Sequence, residues 1–409
     1  LTAKSSIELA KNENYWDKKN VHFDGIKLSF YDASDQESLV RNFTDGAYSQ
    51  ARLYPTSSNF NSVEKQYKDN IFYTQPSADI GGVGVNIDRQ SYNHTSKKTD
   101  AEKDSTKKAL LNKDFRQSVN FAIDRTAYSA QLNGEKGAAL AVRNLLVKPD
   151  FVYAGDKSFG DLVTEKMASY GDEWSGVNFK DSQDGIFNAD KAKAEFNKAK
   201  EALQGQGVQF PIHLDLPVDQ AAKPTVARAQ SLKQSVEKTL GKENVVVDVN
   251  QMSQDDLLNS TLYAANAAAE DWDITDSVAW APDYEDPSTY LDIFKTTASE
   301  NTKTYMGFDD PNNAAAAQVG LKDYDALLDS AASETTDLNA RYDRYAQAQA
   351  WLEDSSLIIP LTVSNGAAPV ISRLTPFTGA SMQVGDKNSS DYFKYVKPQE
   401  KVVTKKEYE

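Results

Sequence analysis

The 409-residue chain contains no cysteine, which removes disulfide bonds, thiol catalysis and thiolate metal sites from consideration. Histidine is almost as scarce: His22, His94 and His213 are far apart, and His213 falls on the polar face of a predicted strand, so a histidine-based metal site is not expected. No apolar run is long enough to span a bilayer. The opening Leu1 to Leu9 has no initiator Met, no basic stretch and no apolar core of a leader. Targeting signals are therefore expected upstream of this start. Gly-x-Ser-x-Gly, His-Glu-x-x-His and Gly-Lys-Ser/Thr motifs are also missing, and with them the usual anchors of hydrolases and nucleotide-binding proteins. There is no internal repeat and no sustained heptad run.

What is present fits a folded globular protein: 40% hydrophobic and 26% charged residues, with 20 Tyr and 17 Phe. Such a length exceeds what one core usually supports, so two or more domains with discontinuous boundaries are expected. Sixty acidic against 45 basic side chains give a net charge of −15. That charge disfavours nucleic acid and anionic lipid as partners and suits cationic or zwitterionic ones, although it equally serves solubility.

Periodicity organises the middle of the chain. Phe210, Ile212, Leu214 and Leu216 alternate as a strand. Thr225 is placed to cap a helix whose Ala229, Leu232, Val236 and Leu240 share a face, with Gly241 as its stop. Val245, Val247 and Val249 form a second strand, Ser253 caps a shorter helix through about Tyr263, and Trp272 to Val278 reads as a third strand. This β-α-β-α-β order implies right-handed crossovers and parallel pairs, with ligands collecting beyond the carboxyl ends of strands. Trp280 to Asp286 lies just beyond such an end.

Further helices are predicted from Phe115, Val119, Ala122 and Ile123, from Ala192, Phe196, Ala199 and Leu203, and over Leu338 to Leu352, with Ser355 to Val363 as a buried strand. The polar stretches Gln90 to Lys113 and Asp156 to Asp184 read as surface loops. Gly81-Gly82-Val83-Gly84 superficially resembles a phosphate loop, but no predicted helix follows it, so a strand or hinge fits better. Asp271 and Asp273 form one of many chance carboxylate pairs; acid-base work would need burial that sequence does not reveal.

The run Trp280-Ala-Pro-Asp283-Tyr284-Glu-Asp-Pro287, after a strand and before a helix, has the form Trp-x-x-Asp-Tyr-x-x-Pro. It resembles the signature of the extracellular peptide-binding proteins of ABC importers, the oligopeptide and dipeptide class within family 5 of the bacterial solute-binding proteins. Three further segments resemble that family in order: Asn14-Tyr15-Trp16-Asp17 with the strand Phe23 to Tyr31, the short helix Glu37 to Gly46, and Asp114 to Arg125 ending in Ala-Ile-Asp-Arg.

The resemblance implies an α/β, periplasmic-binding-protein-like type II fold: two lobes joined by hinge strands, with an N-terminal part missing from this chain. Residues 1–80 and 377–409 would belong to lobe I, 86–361 to a lobe with a mixed sheet and the peptide-anchoring motif, and 81–85 and 362–376 to the crossings. The implied function is extracellular binding and delivery of oligopeptides to the membrane permease of an ABC transporter, without catalysis, cofactor, metal or nucleic acid. By the same resemblance the protein is a monomer, lipid-anchored at the cell membrane through an N-terminal Cys outside this chain. Asp283 would pair with the peptide α-amino group. Backbone at Ala279 and Ala281 would pair with the peptide main chain, and Trp280 would form an apolar wall. Tyr284, Gly82, Gly84 and Asn365 complete the implied peptide-binding set. Some relatives carry an Arg three residues before the Trp to receive the peptide carboxylate; this sequence has Ser277, so recognition of that group stays open. Alternatives are another solute on the same scaffold (a nickel chelate, haem or an oligosaccharide) and a surface adhesin or receptor.

Overall fold

The computed structural model describes residues 5–31, 34–364, 366–378 and 391–408, the last range without the side chains of 391 and 392. Its strands are β1 Ser6–Ala10, β2 Gly25–Ser29, β3 Gln50–Arg52, β4 Phe72–Tyr73, β5 Ile80–Val85, β6 Tyr153–Ala154, β7 Lys157–Ser158, β8 Ile212–Asp219, β9 Val245–Met252, β10 Ile274–Trp280, β11 Ile358–Thr362 and β12 Pro369–Ser372.

The expected β-α-β unit is present. Strands β8 and β9 pair in parallel from Ile212–Val245 to Asp219–Met252, and the helix Lys223–Leu240 that joins them buries Ala229, Leu232, Val236 and Leu240. The helix starts at Lys223 rather than at a Thr225 cap, with Pro224 in its first turn, where a missing N–H costs nothing. The next helix, Gln254–Ser260, stops short of Tyr263. The third strand departs from expectation: β10 pairs antiparallel with β5. Its link to β8 is a single backbone bond, Asp273 N–H to the Asp215 carbonyl at 3.1 Å.

Strand β5 is the centre of a three-stranded antiparallel sheet, with β10 on one side and β11 on the other. This explains its glycines. A Cβ on Gly82 would run into the Ile359 carbonyl oxygen, and one on Gly84 into that of Tyr305. The close approach of neighbouring backbone therefore excludes side chains at both positions.

One hydrophobic core gathers buried side chains from Ile80 to Leu361. Among the smaller clusters outside it, one gathers around Phe43, Leu53, Val63 and Ile371 and another around Phe72, Val370 and Val403. They flank the sheet in which β12 sits between β3 and β4.

Both expected polar loops contain helices. Asp100–Leu111 is capped by a reciprocal Thr99–Glu102 box and buries Ala109 and Leu110. Phe159–Met167 is capped likewise by Ser158 and Asp161, and buries Phe159, Leu162, Val163 and Met167. In each case the capping box satisfies the first free N–H groups of a helix whose other faces are polar. The segment before Asp100 is also not plain surface. Arg89 bonds Asp215 and Asp271, each at 2.7 Å, and Lys97 bonds Asp215 at 2.8 Å and also Asp273, all with nearly complete burial. Burial alone would raise the Asp215 carboxyl, but Lys97 and Arg89 hold it well below the usual carboxylate range. Asp271 and Asp273 are thus members of a buried ion network rather than an acid-base couple.

Candidate functional site

The Trp280–Asp286 loop leaves the end of edge strand β10 and is tied down at three points. The Trp280 indole packs against the main core, and its N–H donates to the Thr289 carbonyl at 2.5 Å. The Asp283 backbone N–H donates to the Thr289 hydroxyl at 2.9 Å. Asp286 receives two bonds from Arg341 of the helix Leu338–Ser355, from Nε at 2.8 Å and from Nη2 at 3.0 Å. Asp286 also accepts the Ser288 backbone N–H at 3.0 Å, at the entry to the short helix Ser288–Leu291. Burial would raise the Asp286 carboxyl; the bonds from Arg341 and Ser288 outweigh it and leave it below its ordinary value.

On this fixed loop the Asp283 and Tyr284 side chains are exposed, Tyr284 by 54%. The loop thus presents a carboxylate to solvent on backbone that does not need to be ordered when a cation arrives. Ala279 is exposed on β10, while its carbonyl accepts the Tyr305 hydroxyl at 2.9 Å. Ala281 is half-buried. Between Thr275 and Val278 the pairing register of β10 shifts, so Asp276 and the exposed Ser277 form a bulge. Asp283, Trp280, Ala279, Ala281 and Tyr284 therefore share one strand end and its loop. Gly82 and Gly84 lie on the neighbouring strand, buried in the sheet interior. Asn365 is outside the described residues.

Sequence reasoning missed Arg341, Thr289 and Tyr305, which hold the site in shape. Arg341 is 55 positions from Asp286, and no single-sequence pattern links them. Among the described residues no group of three or more His, Cys, Asp or Glu could hold a metal ion, and no helix is long and apolar enough to cross a membrane.

Residues 1–302 match the family described as bacterial extracellular solute-binding proteins, family 5 Middle. The chain is 69% identical over 409 residues to oligopeptide-binding protein AmiA of Streptococcus pneumoniae and 59% identical over 410 residues to oligopeptide-binding protein SarA of Streptococcus gordonii. All of this chain is covered in both comparisons, but it spans only 62% of the length of either relative. Among solved structures, the substrate-binding domain of an oligopeptide ABC transporter from Bacillus anthracis superposes with a TM-score of 0.64 at 21% identity, covering 98% of this chain and 63% of that one. Peptide-bound OppA of Listeria monocytogenes superposes with a TM-score of 0.59 at 19% identity, covering 90% and 57%. The α/β architecture is that of the type II periplasmic-binding-protein-like fold, and the chain belongs to the bacterial extracellular solute-binding proteins of family 5.

Proposed function

We propose that the intact protein binds oligopeptides outside the cell and delivers them unaltered to the permease of an ABC importer. The observation that carries this reading is the exposed Asp283 carboxylate, held on a loop with three tethers at the end of an edge strand. Asp283 receives the peptide α-amino group, and the backbone at Ala279 and Ala281 extends β10 by one peptide strand. Such pairing accepts many sequences because it uses the main chain. Trp280 and Tyr284 flank the ligand, Gly82 and Gly84 bring β5 close behind it, and Asn365 belongs to the proposed binding set. Support also comes from the relatives, which are named as oligopeptide-binding proteins.

Residues 1–80 and 377–409 form lobe I in this proposal, 86–361 the other lobe, and 81–85 with 362–376 the crossings about which the lobes close. The protein acts as a monomer without cofactor or catalysis, lipid-anchored at the outer face of the membrane. An α-amino group about 4 Å from Asp283 would gain about 4 kcal/mol at an effective dielectric near 20, before desolvation is subtracted. Calorimetry of the intact protein against a peptide library tests the reading, and uniform failure to bind overturns it. Asp283→Asn should weaken peptides with a free α-amino group at least tenfold more than their N-acetylated forms, about 1.4 kcal/mol of selectivity. Equal weakening of both would remove the anchor.

A further inference from the structure

Two backbone passages join the sheet of β3, β12 and β4 to the sheet of β5, β10 and β11, and each is gripped from both ends. On the first passage the grip comes from Arg143, whose side chain is fully buried. Its guanidinium donates to three consecutive carbonyls just ahead of β5: from Nη2 to Ser77 at 2.9 Å, and from Nη1 to Ala78 at 3.0 Å and to Asp79 at 2.6 Å. The Tyr290 hydroxyl donates to the Ala78 carbonyl as well. Arg143 is itself fixed to β11, because its backbone N–H donates to the Leu361 carbonyl at 3.1 Å. A planar guanidinium fork can span such a row of acceptors, and burial makes those bonds costly to lose. Asp79 carries the grip to the second passage: its carboxylate accepts the Ser77 hydroxyl and the Ser364 backbone N–H, the latter at 3.0 Å. The Ser364 hydroxyl in turn donates to the Ile80 carbonyl at 3.0 Å. Ser77 to Ile80 and Ser364 therefore belong mechanically to the main core.

The opposite grip holds the residues immediately outside. The Gln75 backbone N–H donates to the Tyr408 hydroxyl at 3.0 Å, and the Tyr408 ring is stacked on Phe72 of β4 with centroids 4.1 Å apart. Thr74 and Ala368 exchange two bonds, Thr74 N–H to the Ala368 carbonyl at 3.0 Å and Ala368 N–H to the Thr74 hydroxyl at 3.2 Å. On the first passage only Pro76 stands between Gln75 and Ser77. On the second, Gly366 and Ala367 have φ of 76° and 48°, a region that costs Ala conformational energy and that Gly enters freely. A Cβ on Gly366 would run into the Gln75 carbonyl oxygen, so the two passages touch where the grips change over. Strand β5 is a poor place to bend, because it is paired on both edges.

We propose that Arg143 is a positioning residue for ligand capture, which by locking Ser77 to Asp79 onto the main core confines the turn between the lobes to Pro76 and Gly366. The inference rests on the two-lobe oligopeptide reading and places the turn just ahead of β5 rather than within it. Arg143 acts through the backbone it holds, and so biases opening against closing for every ligand alike.

The test measures lobe separation and peptide affinity together in the intact protein. These 409 residues contain no cysteine, so Asn61→Cys and Lys193→Cys, both exposed and one in each lobe, provide sites for a pair of spin labels. Gly366→Ala should shift the label separation of the peptide-free protein and change the affinity for three unrelated peptides by one common factor of at least about three, since a hinge alters closing and not the contacts of each peptide. Arg143→Lys, which replaces the fork by a point charge, should broaden the separations and act on the three peptides by a common factor of its own. Gly46→Ala is the control for backbone strain: its φ is 80° and a Cβ there meets nothing within 4 Å, so both readings should stay as in wild type. Unchanged separations and affinities in either the Gly366 or the Arg143 variant would overturn the inference. Factors that differ from peptide to peptide would overturn it too, since they would put these residues at the ligand. Wild-type protein that binds none of the peptides would overturn the oligopeptide reading, while the peptide-free separations would still decide the hinge.

Discussion

Removing Arg341 should loosen the loop that carries Asp283, although Arg341 touches nothing exposed there. Its guanidinium makes two bonds to Asp286, and its Nη1 is shared among the carbonyls of Ala331, Ala332 and Glu334 at 3.2, 3.3 and 3.2 Å. It also lies 4.9 Å over the Tyr345 ring. One residue thus joins the loop to the end of the helix Leu321–Ser333 and to its own helix. A hydrogen bond to a charged group contributes about 1.5–3 kcal/mol. Both partners of the Asp286 pair keep 16% exposure, so water recovers part of that, and the net loss for Arg341→Met should be about 2–3 kcal/mol. The assay is a thermal and denaturant double-mutant cycle with Asp286→Asn, run alongside peptide titration. We expect a Tm several degrees lower, reduced affinity for α-amino peptides, and a coupling energy of at least ~1 kcal/mol between the two positions. Strict additivity of the two substitutions, with an unchanged Tm for Arg341→Met, would refute the clamp.

Gly82→Ala should destabilise the protein by about 1–3 kcal/mol, the usual cost of overpacking, because its Cβ meets the Ile359 carbonyl. Gly205→Ala, where a Cβ meets nothing within 4 Å, serves as the control in the same chemical denaturation, and equal costs would contradict the packing account. Burial pushes Glu353 up to about 8, with Arg125 and Gln349 offsetting part of the rise. A raised acid contributes stability that is fully present below its unfolded value and is lost as pH climbs through the folded one. The stability of Glu353→Gln relative to wild type should therefore grow by up to about 1.4 kcal/mol per pH unit from pH 5 to 8. A difference that does not change with pH would rule this out.

Local periodicity made much of the helical framework legible. The faces of the helices Lys223–Leu240, Ala189–Gly205 and Leu338–Ser355 were readable because each buries a repeating stripe against one core. Helices Asp100–Leu111 and Phe159–Met167 were misread as loops because their apolar stripes are narrow within polar sequence; the capping boxes Thr99-x-x-Glu102 and Ser158-x-x-Asp161 were the overlooked signals. The pairing of β10 with β5 was not readable, since strand partners nearly 200 positions apart leave no periodic trace. The motif around Trp280 was visible as a motif, whereas its tethers to Thr289 and Arg341 depend on the folded chain.

The position of β12 also constrains the order in which the molecule can be made. It is the middle strand between β3 and β4, and its Val370 pairs with Arg52, 318 positions earlier. At ~5–20 residues per second, a ribosome needs on the order of half a minute to travel from one to the other. During that interval β3 and β4 have no strand between them, and Phe43 and Leu53 lack the Ile371 against which they pack. The main core draws its side chains from Ile80 to Leu361, all of them made before β12. Strands β3 and β4 are therefore made long before they are sheltered, and a nascent chain halted before residue 369 should be cut by protease between about residues 43 and 73 while the region of the main core resists.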